Sequence, residues 1–244
     1  MYLKKLYFSA KPVEGIEFQY GGIGIERGVS TPITSYADPG YLTGGRILVH
    51  HPKALFFDTV SFTKAYLGDL DSPNMGRRFH RLQQSNYQQY LVEKRLSGRV
   101  SASMDYTNQW GIKTLRESIR LGVKESRVLD VVQFDSYQRT NRDRKTGFNF
   151  GLEKDLTRRL SLVGGYAAID RNYGDLNDDA FFHGNRVYAG AQIHITPDFA
   201  VSALINRTAG EDYAVPNRTH FHLAFNYDLL RAFKRAGFVK RSGI

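Results

Sequence analysis

The chain of 244 residues is predicted to be an all-β protein of antiparallel, up-and-down strands, and three observations carry this prediction. Apolar and polar residues alternate strictly in long runs, turn residues separate the runs, and the turns alternate between short and long along the chain. Because successive side chains of a strand point to opposite faces, alternation with period two indicates a strand with one apolar face. Counting such runs gives about 12–14 strands.

The alternation is clearest between Arg186 and Leu230. A first run covers residues 186–195, the turn 196–198 follows, and a second run covers 199–206. After a polar gap a third run covers 220–229. In each run apolar residues occupy one face, and polar or small residues occupy the other. Two such runs joined by a few turn residues predict a hairpin.

The earlier part of the chain repeats this design. We predict ten further strands, which cover residues 1–10, 16–25, 45–50, 55–67, 87–93, 100–107, 112–123, 128–139, 148–152 and 160–168. Short turns are predicted near residues 12–15, 51–54, 94–98, 123–127, 154–159 and 196–198. Longer loops are predicted near residues 27–43, 69–86, 138–145, 170–185 and 207–219, and a brief one near 107–111. The short turns at 91–100 and 152–160 resemble each other, which indicates recurring hairpin chemistry.

The length of the runs raises the choice between a soluble sheet and a membrane-spanning one. Ordinary strands have about five or six residues, whereas a tilted strand needs about nine to eleven to cross a bilayer. Short turns on one side and longer loops on the other are the arrangement of an up-and-down membrane barrel, and a Greek-key sandwich would not alternate so regularly. We therefore predict a transmembrane β-barrel domain over residues 1–230 and a basic tail over 231–244.

Composition limits the other classes of protein to which the chain could belong. No run of eighteen apolar residues occurs, which excludes a transmembrane helix, and the absence of cysteine excludes disulfides and thiolate metal sites. The net charge of +10 suits anionic lipid headgroups or acidic solutes. Nucleic-acid binding is not expected, because the aromatic residues fall on the apolar face, away from the charges. Two interpretations are open for the basic loop residues, contact with anionic lipid headgroups or simple solvation: Arg77, Arg78, His80, Arg81, Arg139, Arg142, Arg144 and Lys145.

Two segments carry a resemblance to a known class. Residues 188–204 look like a hairpin of Gram-negative outer-membrane porins, and residues 6–22 resemble the early hairpins of large porin-like barrels. The resemblance implies an outer-membrane channel for passive diffusion of small solutes, with outer-membrane lipid and lipopolysaccharide as neighbours. It leaves homo-oligomerisation open.

The chain departs from the porin pattern in two ways. Its last good strand ends near Leu229 and is followed by the basic tail, whereas porins usually end on a strand with a terminal aromatic residue. About thirteen strands also conflict with the even number of bacterial single-chain barrels. Either one strand is miscounted or the chain is the C-terminal part of a larger barrel, and the missing signal peptide favours the second interpretation.

The polar faces of the predicted strands supply the candidate functional residues. The predicted pore-lining residues are Asp105, Arg116, Arg120, Arg186, Gln192, His194, Asn206, His220, His222 and Asp228. Two interpretations remain open. Arg116, Arg120 and Arg186 would form a positive wall that favours anionic solutes. Alternatively, the lumenal charges pair with Asp105, Asp228 and Glu93 and merely fill the interior.

No catalytic, cofactor or metal site is expected. His220 and His222 share one face of a strand, but a metal site needs three or four ligands. No Gly-x-Ser-x-Gly elbow occurs, so a barrel-borne hydrolase is only a second alternative. The first alternative is a soluble or surface-exposed all-β module that binds carbohydrate. Glu117 on a predicted lipid face counts against the membrane prediction, and the direction of the apolar face discriminates the two classes.

Overall fold

The computed structural model describes residues 6–31, 42–51, 56–68, 79–123, 128–141, 144–170, 184–209 and 219–227, together with Arg235. These residues form one antiparallel sheet of thirteen strands and one short 3-10 helix. None of the described segments forms a helix that has both the length and the apolar character needed to cross a membrane.

Every strand pairs with its neighbour in the sequence, which confirms the predicted all-β, up-and-down arrangement. The strands are β1 (Leu6–Val13), β2 (Ile16–Ile23), β3 (Leu42–His50), β4 (Thr59–Leu67), β5 (Tyr87–Arg95), β6 (Val100–Gln109), β7 (Ile112–Gly122), β8 (Val131–Arg139), β9 (Lys145–Asp155), β10 (Leu160–Ile169), β11 (Gly184–Thr196), β12 (Phe199–Thr208) and β13 (Thr219–Tyr227). The 3-10 helix covers Phe79–Arg81. The edge strands β1 and β13 are not hydrogen-bonded to each other within the described residues.

Some strands end at other residues than the alternation of apolar and polar residues predicted, because glycines and turn residues end the strand there. β2 ends at Ile23, although the alternation continues to Ile25, because the chain leaves the ladder at Gly24. The brief connection between β6 and β7 is a tight turn at Trp110 and Gly111, which both have positive φ angles of 49° and 79°. Two positive φ angles are what a hairpin turn that matches the strand twist requires.

The two faces of the sheet have opposite polarity and opposite burial. On the apolar face, Phe134, Ile193 and Phe225 are 46%, 48% and 67% exposed. On the polar face, Arg46 and Asp135 are only 3% and 0% exposed. The sheet therefore presents its hydrophobic side chains to the surroundings and covers its polar ones, which is the reverse of a soluble barrel or sandwich.

Aromatic contacts link neighbouring strands across the apolar face. The ring centroids of Phe62 and Tyr90 lie 4.9 Å apart, and those of Phe148 and Tyr166 lie 5.8 Å apart. Each such cross-strand pair contributes about 0.2–1 kcal/mol. Since a slip by one residue would move every one of these rings to the polar face, the pairs also fix the register of the sheet.

The two short turns that resemble each other in sequence also share their hydrogen bonds. After β5, the hydroxyl oxygen of Ser97 accepts a hydrogen bond from the Val100 amide at 3.1 Å. After β9, the hydroxyl oxygen of Thr157 accepts the equivalent bond from the Leu160 amide at 3.0 Å. The predicted recurrence of hairpin chemistry is thus confirmed in the structure.

A second repeated feature joins each of these hairpins to the preceding strand. Asp58 lies just before β4, and Asp130 lies just before β8. Each carboxylate accepts one hydrogen bond from a lysine ammonium and one from the backbone amide of the residue that follows this lysine. The donors are Lys94 Nζ at 3.0 Å and the Arg95 amide at 2.7 Å for Asp58, and Lys154 Nζ at 3.0 Å and the Asp155 amide at 2.6 Å for Asp130. We call these two arrangements the aspartate clamps. They tie one short turn to the next along this edge of the sheet.

The aspartate clamps make stability depend on acidity. The backbone amide and then the lysine ammonium hold the pKa of Asp58 and of Asp130 below the usual carboxyl range. As the pH falls, these carboxylates therefore take up protons earlier in the unfolded chain than in the folded one. The stabilisation by the aspartate clamps is complete above the pKa of the unfolded state, and it is lost as the pH falls through the lower pKa of the folded state. We expect the double variant Asp58→Asn and Asp130→Asn to lose stability at neutral pH and to show a flatter acid dependence of unfolding.

The measurement is urea unfolding followed by the fluorescence of Trp110, the single tryptophan, from neutral pH down to about pH 2. Glu14→Gln removes an exposed carboxylate in the first short turn and is the matched control. An acid dependence of the double variant equal to that of the parent would contradict the clamp assignment.

Candidate functional site

Most of the predicted pore-lining residues lie together on the polar face. β6 places Asp105 there, β7 places Arg116 and Arg120, β11 places Arg186, Gln192 and His194, and β12 places Asn206. Strand alternation produces this clustering, since every second residue of each strand faces the same side. His220 and His222 pair in the ladder with Asn206 and Leu204, but their side chains, like Asp228, lie outside the described part of the chain.

Arg116 and Asp105 form a buried ion pair. They face each other directly across the β6–β7 ladder. Arg116 Nε donates to Asp105 Oδ1 at 2.8 Å, and Arg116 Nη2 donates to Asp105 Oδ2, so the guanidinium engages both oxygens. Gln89 Nε2 also donates to Asp105 Oδ2 at 2.7 Å. With both side chains at 5% exposure or less, the two-oxygen contact offsets part of the cost of removing two charges from water.

Arg120 forms a second, more open pair. Its guanidinium donates to the two oxygens of Glu153 at 2.7 and 2.6 Å, and Nη1 also donates to Gln133 at 3.2 Å. About a third of each charged side chain remains exposed. The sequence predicted pairing partners for the arginines but did not identify Glu153, because that contact skips over β8 and depends on the register of three strands.

The remaining candidates divide between a covered and an open region. Arg186 is 1% exposed and donates to Asn206 Oδ1 at 3.2 Å. His194 is exposed, Gln192 is partly covered, and both lie towards the short-turn end of β11. The polar face is thus covered around β5–β9 and more open near the turn that follows β11.

A segment missed by the sequence analysis covers the polar face. Residues 24–31, which we call the strap, leave the ladder after β2 and run across the sheet towards β9. In its middle, the carbonyl of Val29 accepts from Gln133 Nε2 at 2.7 Å, while the Val29 amide donates to Ser103 Oγ at 3.1 Å. The carbonyl of Glu26 accepts from Gln89 Nε2 at 2.8 Å. Side chains of the sheet therefore satisfy the backbone polar groups of the strap, as a covered backbone requires.

Both ends of the strap are anchored. At the start, Arg46 of β3 donates to the Gly24 carbonyl and pairs with Glu26 at 3.1 Å. At the end, Thr31 Oγ1 donates to Asp135 Oδ2 at 2.6 Å and lies 3.0 Å from the Tyr137 hydroxyl. The strap is consequently held from β3 to β8 by charged and neutral hydrogen bonds.

Gly28 lets the strap approach the sheet closely. Its φ is +58°, a conformation that side chains with a Cβ rarely adopt. A Cβ built at this position would lie 2.5 Å from Ser103 Cβ and 3.2 Å from Leu91 Cδ1. Both the backbone conformation and the lack of space therefore require glycine here.

Asp135 is the centre of the anchoring network. Its carboxylate is fully covered and accepts hydrogen bonds from four neutral donors of the described residues: Thr31 at 2.6 Å, Gln133 at 3.0 Å, Asn149 at 3.0 Å and Tyr137 at 3.2 Å. No group of three or more metal-ligating side chains is found in the described segments. Donors from the strap, β8 and β9 thus converge on one carboxylate and fix the end of the strap.

The sequence contained one sign of the strap. Gly24 and Gly28 interrupt the run that starts at Ile16, but the alternation of Ile23 with Ile25 suggested a strand that simply continued. Nothing local indicated that the following residues turn onto the polar face, because their partners on the sheet lie 20 to 118 positions away.

Comparisons with known proteins assign no relative. No protein-family model matches the chain, and no curated protein or solved structure matches it either. The polarity of the two faces and the position of the strap are therefore the features that carry the functional argument.

Proposed function

We propose that the chain forms the wall of a transmembrane β-barrel in a bacterial outer membrane and that this barrel passes small polar solutes by passive diffusion. The observation that carries the proposal is the reversed polarity of the sheet. Exposed aromatic and aliphatic side chains occur from β1 to β13, while charged and amide side chains are covered on the opposite face. A membrane barrel carries its apolar band outside and its polar residues within.

A soluble carbohydrate-binding module would need the opposite arrangement. Monomeric soluble proteins rarely expose contiguous apolar patches larger than a few hundred Å². Here the buried apolar clusters among the described residues are small, one centred on Tyr137 and one on Leu42 and Leu67. Such clusters are too small to be the main core of thirteen strands, which supports lipid as the partner of the apolar face.

The described strands place six charged residues on the apolar face, and all except Glu117 lie within three residues of a strand end: Lys64, Lys94, Lys113, Glu117, Lys154 and Arg207. Glu117 on β7 pairs in the ladder with Met104 and Ser136, and Lys64 lies three residues before the end of β4. Acidic residues on a lipid face cost less than the roughly 2–4 kcal/mol of a basic one at the midplane, and basic residues near an interface cost about 0–1 kcal/mol. The membrane proposal therefore tolerates these positions.

The pairing of the arginines bears on selectivity. Arg116 and Arg120 each engage both oxygens of a carboxylate, so neither contributes an uncompensated positive charge. Of the two interpretations that the sequence left open, this pairing favours charges that compensate each other over a positive wall. We propose weak rather than strong anion preference, with the strap narrowing the passage.

The test is heat-modifiability. We expect the detergent-extracted, unboiled protein to migrate faster on a gel than the boiled one and to show β-type circular dichroism. It should then produce ion conductance in planar bilayers, with a reversal potential close to zero in a salt gradient. Good solubility without detergent, together with unchanged migration, would contradict the proposal and would direct the next experiment to glycan binding.

A further inference from the structure

Among the described residues, a groove lies on the apolar face at the long-loop end of β2–β4. In the ladder, Gly45 lies between Tyr20 and Lys64, so a side chain is missing from the middle of this row. Phe18 and Phe62 extend the walls of the groove towards the short turns. The volume of the groove is about 460 Å³. The sheet residues that line the groove on this face are apolar except Lys64, whereas Gln83, Gln84 and Ser85 make its other side polar.

An ordered segment overhangs this groove. Residues 82–85 line it and follow the 3-10 helix. The guanidinium of Arg81 lies 5.2 Å from the ring centroid of Tyr66 on the apolar face and donates to Gln84 Oε1 at 2.6 Å. The Gln84 amide also donates to the Arg81 carbonyl at 2.9 Å. Arg81 thus fixes the overhang to the sheet, and the groove does not depend on a ligand for its shape.

Lys64 gives the groove its charge. Its side chain is exposed, and no carboxylate occurs among the residues that line the groove. Within the described part of the chain, no ion pair involves Lys64. A lysine beside an apolar surface places its methylene stem on that surface and its ammonium at the polar boundary.

We propose that this groove binds one acyl chain of an anionic, phosphate-bearing membrane lipid and that Lys64 contacts the lipid phosphate. The inference rests on the proposed membrane function, which brings the apolar face into contact with lipid. Charge complementarity selects the anionic headgroup, since a basic residue at the membrane surface contributes about 1 kcal/mol towards an anionic lipid. The gap at Gly45 selects the acyl chain, since a free phosphate ion has no apolar part to fill it.

The test compares two lipids with identical acyl chains. The folded protein in detergent is titrated with phosphatidylglycerol or with phosphatidylcholine, and bound lipid is counted by native mass spectrometry. We expect preferential retention of phosphatidylglycerol, a loss of that preference by about fivefold in Lys64→Gln, and loss of retention of both lipids in Gly45→Val. Valine should fit without unfolding the sheet, because a Cβ at Gly45 would lie 3.5 Å from Tyr20 Cδ2.

Lys113→Gln is the matched control, since Lys113 is an exposed lysine on β7 that does not line the groove. Inorganic phosphate should not displace the bound lipid. Equal retention of the two lipids by the parent, or an equal loss of preference in Lys113→Gln, would overturn the inference. A protein without a heat-modifiability shift would instead refute the membrane proposal, so the two failures are distinguishable.

Discussion

Replacing Arg116 by methionine is expected to lower the free energy of unfolding by about 3–5 kcal/mol. The substitution leaves the covered Asp105 carboxylate without its cation, and Gln89 alone cannot replace the two lost bonds. A buried charge without a partner costs far more than the pair contributes when it is intact, because the desolvation of the remaining carboxylate is no longer compensated. Urea unfolding in detergent, followed by Trp110 fluorescence, measures this loss.

Two further variants separate the buried charge from a general effect of losing an arginine. Arg120→Met breaks a pair with the same two-oxygen geometry but with about a third of each side chain exposed, so we expect a loss of about 1 kcal/mol or less. Adding Asp105→Leu to Arg116→Met should restore most of the lost stability, since no unpaired charge then remains. Equal losses in Arg116→Met and Arg120→Met would show that burial does not decide the cost.

The sequence alone predicted the sheet well because strand alternation is a local property. The runs around Val187 and Phe221 become β11 and β13, and the residues placed on one face, such as Arg116 and Asn206, do share it. The likeness of the turns at Ser97 and Thr157 was also visible, since each turn contains its own hydrogen-bonding side chain.

Contacts between distant strands were not predictable in the same way. Register across several strands decides that Arg120 meets Glu153, and a single sequence does not contain that register. The strap was missed for the same reason, because Thr31 and Asp135 are separated by 104 positions and no periodicity links them. The candidate site was therefore predicted as a set of polar residues, but the segment that covers it was not.

Replacing Gly28 by valine is expected to release the strap from the polar face. The residue would have to adopt a φ of +58°, which costs about 1–2 kcal/mol for a residue with a Cβ, and its side chain would overlap Ser103. Each 1.4 kcal/mol changes an equilibrium tenfold. The state in which the strap has left the polar face should therefore become more than about tenfold more populated. In the proposed channel, the same variant should show a larger single-channel conductance.

The absence of cysteine makes release of the strap measurable without assuming any function. Ser118 is 2% exposed and pairs in the ladder with Ser103 and Asp135, which both contact the strap. Ser118→Cys should react slowly with a thiol reagent in the parent and more than about tenfold faster when combined with Gly28→Val. Gly98→Val is the matched control, because nothing lies within 4 Å of a Cβ at Gly98. A thiol that stays protected in the folded Gly28→Val variant would mean that the strap remains docked and that its contacts at Arg46 and Asp135 outweigh the strain.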